Sequence, residues 1–93
     1  MELKNIHAFV EGKVQGVGFR YFTQSTAIDH NITGWVRNLD DGSVEILAQG
    51  EEGNLDSFIE KIKKGPSMFA KVTDVKIEEF DDSKEHSNFE IKM

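Results

Sequence analysis

Ninety-three residues suffice for one compact domain and are too few for two. Seventeen acidic against eleven basic residues leave a formal charge of −6. That balance argues against general nucleic-acid binding, which draws on accumulated Lys and Arg, and against attraction to anionic membranes. The absence of cysteine removes disulfides and thiolate-based metal or redox chemistry. With no signal-like or membrane-length apolar run, the expected location is the cytoplasm.

The first element is a strand over Lys4 to Val14, where Ile6, Ala8 and Val10 alternate with His7, Phe9 and Glu11. Gln15-Gly16-Val17-Gly18 breaks it, and a helix is expected from Phe19 or Arg20 to about His30, with Phe22, Ala27 and Ile28 inward. Asn31 stands where that helix ends, in a position that favours the left-handed conformation. Thr33 to Leu39 reads as the second strand, Asp40-Asp41-Gly42 as a hairpin turn, and Ser43 to Gln49 as the third strand. Leu55, Phe58, Ile59 and Ile62 then recur at helical spacing, with Asn54 as the expected N-cap. Lys61, Lys63 and Lys64 suit the negative end of the helix dipole, and Gly65-Pro66 stops it. Ala70 to Phe80 is a long strand with Val75 and Ile77 on one face, Asp81 to Asn88 a polar and mobile turn, and Phe89, Ile91 and Met93 a short last strand.

The order β-α-β-β-α-β, with a short extra strand, predicts an α+β, ferredoxin-like two-layer sandwich: an antiparallel sheet with two helices on one face. No linker or repeat divides residues 1–93, so a single domain is expected. This architecture serves enzymes, RNA-binding modules and regulatory domains alike, and function has to come from local chemistry.

Two segments carry such chemistry. Between strand and helix, Gly16 and Gly18 permit backbone angles that turn successive N–H groups into one concavity, to which the following helix adds its positive end. Arg20 sits where that helix begins and can hold two oxygens of a phosphate or carboxylate. A flexible connection with a surface arginine has the same spacing, and the loop lacks both the Lys-Ser/Thr ending of a nucleotide P-loop and the third glycine of a dinucleotide fingerprint. The second segment ends in Asn38, whose amide can accept from a water and donate to an oxyanion; a turn asparagine bonded to its own backbone is the simpler alternative.

Taken together, Gly12-Lys13-Val14-Gln15-Gly16-Val17-Gly18-Phe19-Arg20 and Gly34-Trp35-Val36-Arg37-Asn38, followed by Gly42, Val44 and Gly50, resemble the acylphosphatase family. The first run fits the family pattern G-x-V-Q-G-V-x-F-R at every fixed position, and the similarity continues through Gly65-Pro66, Ala70 and Val72 to Phe89-Glu90-Ile91. The resemblance implies hydrolysis of the carboxyl-phosphate anhydride of a small acyl phosphate, with inorganic phosphate as product. It further implies that the backbone amides of Gln15, Gly16, Val17, Gly18, Phe19 and Arg20, with the Arg20 guanidinium, hold the phosphate, and that Asn38 positions the attacking water. A carboxylate of pKa about 4 leaves without a general acid, so neither metal nor cofactor is expected. His30 and Asn31 depart from the family pattern, away from these residues.

His7, His30 and His86 share no metal-ligand spacing, Asp40 and Asp41 are turn formers, and Trp35 reads as a packing residue. Three rivals remain. A non-catalytic phosphate- or RNA-binding module would need basic and aromatic central strands, whereas the third strand offers Val44-Glu45-Ile46-Leu47-Ala48-Gln49. A domain of a larger hydrogenase-maturation protein would call for a linker. A member that has lost activity would not be expected to retain Arg20 and Asn38. The expectation is a free-standing monomer acting on a small molecule, with no nucleic-acid or membrane partner.

Overall fold

The computed structural model describes residues 3–65, 70–80 and 85–92. Its elements are β1 (Lys4–Lys13), α1 (Phe19–Asp29), β2 (Thr33–Asn38), β3 (Val44–Gly50), α2 (Glu52–Lys64), β4 (Lys71–Phe80) and β5 (Phe89–Ile91). The strands form one sheet in the order β4-β1-β3-β2-β5. Alternation fixes which way each strand faces. Ile6, Ala8 and Val10 of β1 and Val44, Ile46 and Ala48 of β3 are buried toward the helices.

Phe58 and Ile62 of α2 are completely buried, and Leu55 and Ile59 nearly so, as their spacing predicts. The two helices touch each other on the same face of the sheet, α1 lying over β2 and β5 and α2 over β3 and β4. This is the expected ferredoxin-like sandwich. The Phe58 ring also meets Phe89 of β5 edge-on, at 6.2 Å between centroids, so the core reaches the last strand.

The structure corrects three expectations. First, the sheet is mixed, because β5 runs parallel to β2, with Gly34 opposite Phe89 and Val36 opposite Ile91. β5 lies beside β2 at the edge opposite β4, so its direction follows from a crossing of the whole sheet that strand periodicity does not encode. Second, Ile28 is 62% exposed, and the inward stripe of α1 is Phe19, Thr23, Thr26 and Ala27. The two threonines can be buried because their hydroxyls donate to the carbonyls of Phe19 and Phe22, four residues earlier, at 2.9 and 2.7 Å. Third, Glu51 and not Asn54 caps α2. Only one residue separates β3 from that helix, so the chain has to turn at Glu51, and Glu52 then meets the positive dipole end. His30, at the end of α1, is partly buried, with its Nδ1 2.8 Å from the Thr26 carbonyl. Asn31 takes the left-handed conformation expected of it, with φ 57°. Pro66, Asp81 to Lys84 and Met93, which also figured in the expectations, lie outside the described residues.

The β2–β3 connection is a braced hairpin. Leu39 N–H donates to the Ser43 carbonyl at 2.9 Å and Gly42 N–H to the Leu39 carbonyl at 3.2 Å. Asp41 Oδ1 accepts from both the Ser43 hydroxyl (2.6 Å) and the Ser43 amide (2.9 Å). These bonds, the hydroxyl first and the amide second, hold the Asp41 carboxyl below its ordinary value of 3.8.

Two outcomes follow. Phe58→Ala should lower stability by about 3–5 kcal/mol, read from urea unfolding, because it empties a fully enclosed site. Asp41→Ala should remove a pH-dependent contribution: a depressed folded-state pKa stabilises fully above the unfolded value and loses that effect as pH falls through the folded one. The stability gap between wild type and Asp41→Ala should be constant above about pH 5 and should shrink at more acid pH, measured by denaturant titration.

Candidate active site

The register of three strands decides which residues meet. Val10 of β1 pairs with Val44 of β3, and Val44 pairs with Asn38 of β2. Cross-strand partners share a face. Asn38 therefore stands in a row with two completely buried valines, on the helix-covered side and at the end of the sheet where β1 leaves for the glycine loop. A slip of one residue would carry its side chain to the opposite face.

At this end of the sheet Asn38 Oδ1 is buried and has no hydrogen-bond partner among the described residues. An isolated buried acceptor of this kind costs about 1–3 kcal/mol, so the position is occupied for a reason other than stability. The turn-asparagine alternative fails on this point, because the oxygen bonds to no backbone amide.

The loop above it is built by backbone angle. Gly16 and Gly18 have φ of 74° and 76°, yet a Cβ on either would meet nothing within 4 Å. Packing does not require glycine there; the left-handed turn does. Val14 beneath them is buried and anchors the loop. Gly18 is the N-cap of α1 with no side-chain cap, and the helix ladder starts with Phe22 N–H to the Gly18 carbonyl at 3.1 Å. The amides of the first turn, Phe19 to Tyr21, consequently have no partner within the helix and present an uncapped positive end.

Arg20 reaches the same place from α1. Its Nη1 lies 3.5 Å from the Lys92 carbonyl, at the limit of a hydrogen bond, and it has no carboxylate partner among the described residues. Lys92 N–H in turn donates to the Val36 carbonyl at 2.8 Å, which holds the chain after β5 against β2 two residues before Asn38. Arg20 is thus partly buried and its guanidinium loosely held.

Gln15 does something its place in the sequence did not signal. Beyond contributing a loop amide, its side-chain Nε2 donates to the Leu39 carbonyl at 2.7 Å and to the Ser43 carbonyl at 2.8 Å. Both partners lie more than twenty residues away, so no local pattern could have revealed the contact.

The remaining polar residues lie elsewhere. On the uncovered face of the sheet His7 Nε2 sits 2.6 Å from Glu45 Oε2, while Arg37 donates to the other oxygen of the same carboxylate. Trp35 lies on that face too, with Arg37 and Lys92 against its ring at 5.2 and 4.7 Å. His30 ends α1, and the His86 amide donates to Gln49 Oε1 at 3.0 Å. Among the described residues no three His, Asp or Glu side chains converge on a metal-sized site.

Comparison with known proteins agrees with this geometry. The acylphosphatase family model matches residues 6–91. An acylphosphatase of Oceanobacillus iheyensis is 51% identical over 90 residues, which span 97% of this chain and 99% of that protein. The crystal structure of acylphosphatase from Bacillus subtilis superposes with a TM-score of 0.92 at 48% identity, covering 99% of this chain and 100% of the other. That of Coxiella burnetii gives 0.90 at 38% identity, over 97% and 93%. Matched in sequence and in fold along nearly its whole length, the chain belongs to the acylphosphatase family, enzymes that hydrolyse acyl phosphates.

Proposed function

We propose that the loop from Gln15 to Arg20 holds the phosphate of the acyl phosphate and that Asn38 holds the water that attacks it. The observation that carries this reading is the buried, unpartnered Asn38 Oδ1 at the end of the sheet from which the loop leaves. A buried acceptor without a protein partner among the described residues is suited to fix a water by one of its protons, leaving a lone pair directed at phosphorus.

The charge pattern supports the other half. The amides of Gln15, Gly16, Val17, Gly18, Phe19 and Arg20, the uncapped end of α1 and the Arg20 guanidinium together offer donors and positive potential to equatorial phosphate oxygens. In-line displacement breaks the P–O bond to the carboxylate as the water oxygen bonds to phosphorus. The departing carboxylate is stable as an anion at neutral pH and takes no proton from the protein. The water's proton passes to a phosphate oxygen of the substrate. Asp41 belongs to the hairpin turn, where its Oδ1 already accepts two bonds from Ser43.

By this reading neither metal nor cofactor takes part, because the leaving group needs no Lewis acid and the phosphate charge is met by amides and arginine. The proposed enzyme is a single-domain monomer of the cytoplasm, a compartment to which a protein without cysteine is suited. Nucleic acid has no place in the scheme. The one tryptophan, on the uncovered sheet face, is already packed by the protein's own Arg37 and Lys92.

Phosphate release from acetyl phosphate should proceed undiminished in EDTA. Arg20→Gln and Asn38→Ala should each lower kcat by about 100-fold or more while the fold survives. Arg20→Gln should also weaken competitive inhibition by inorganic phosphate, and Asn38→Ala should leave it nearly intact. Two variants with near-wild-type rates would overturn the assignment, and a rate profile governed by an enzyme base near neutrality would overturn the substrate-assisted step.

A further inference from the structure

We propose that the side chain of Gln15 is a positioning residue for the attacking water, acting through the hairpin that carries Asn38. This rests on the role given to Asn38 above and adds a residue whose side chain need not touch substrate.

The geometry is specific. A carboxamide nitrogen has two hydrogens, and here each has an acceptor: the carbonyl of Leu39, next to Asn38, and that of Ser43, which closes the turn from the other strand. Because both partners are carbonyl oxygens, the nitrogen and not the oxygen has to face them. The same two carbonyls already accept the hairpin's internal bonds from Gly42 and Leu39, so Gln15 takes up their remaining lone pairs. One side chain thereby spans both lips of the hairpin.

Its other end belongs to the phosphate cradle, since Gln15 is the residue at which β1 gives way to the glycine loop. The carboxamide is thus a fixed strut between the part of the site that binds phosphate and the part that holds water. In-line attack depends on that distance, and a displacement near 1 Å can cost about 100-fold in rate. Asp41 braces the turn from its outer side but makes no bond to the loop, so it does not substitute for the strut.

The test uses Gln15→Met, which keeps length and volume and donates nothing, and Gln15→Glu, which sets a carboxylate against two carbonyl oxygens. Gln15→Met should lower kcat by about 10- to 100-fold while inhibition by inorganic phosphate changes by less than about twofold. In an Asn38→Ala background the same substitution should cost less than about twofold more, because the strut then has no water to place. Gln15→Glu adds a readout that a merely structural role would not move. Its carboxyl is pushed up by the facing carbonyl dipoles and by Asp40 and Asp41 of the hairpin, against Lys13 and Arg20 of its own segment. Activity of this variant relative to wild type should rise as pH falls and the acid regains a donor. An unchanged kcat in Gln15→Met, an undiminished effect in the Asn38→Ala background, or a pH-independent Gln15→Glu ratio would overturn the proposal. If instead Asn38→Ala alone kept its rate, the role of Asn38 itself would fall.

Discussion

The site depends on strand register. Val10, Val44 and Asn38 align across β1, β3 and β2 because alternating apolar side chains have to face the helices, and burial of that face tolerates no slip. The same constraint that builds the core therefore delivers a polar amide to the sheet end where the glycine loop begins. Nothing in the immediate surroundings of Asn38 would favour it there; an oxygen without a partner is a cost. The valines beside it, and Phe58 and Ile62 above the sheet, supply the stability against which that cost is tolerated.

In the proposed reading, phosphate binding uses backbone more than side chains. The left-handed turns at Gly16 and Gly18 and the uncapped start of α1 leave amides free that most helices would satisfy internally or with a Ser, Thr, Asp or Asn cap. Arg20 is likewise held, among the described residues, by one long hydrogen bond and no carboxylate. The chain as a whole is strongly acidic, so the positive potential of the proposed phosphate site is local. Such an arrangement favours one compact anion over a polyanion, in keeping with a family that acts on small acyl phosphates.

Much of this was legible in the sequence where one residue's environment is set by its neighbours. The period-two alternation of β1 and β3, the helical spacing of Leu55, Phe58, Ile59 and Ile62, and the Asp-Asp-Gly turn each express a local rule. The loop glycines and Asn38 stood out through long signatures shared with a known family. Where a side-chain or tertiary contact decides, the sequence was mute. Thr23 and Thr26 look too polar for the core until their hydroxyls are seen to bond along their own helix. The parallel direction of β5 follows from where the chain crosses the sheet. The Gln15 carboxamide, read only as a backbone contributor, has both its partners on another hairpin.

The central claim is that the buried Asn38 oxygen is the water site. It is tested most directly by a crystal structure with inorganic phosphate or vanadate bound, at a resolution that places waters. The account predicts the anion on the amides of Gln15 to Arg20 and on the Arg20 guanidinium, with a water or apical oxygen bonded to Asn38 Oδ1 and in line with the bond that breaks. An anion bound elsewhere, or an Asn38 oxygen satisfied by a protein group while the cradle is filled, would contradict it.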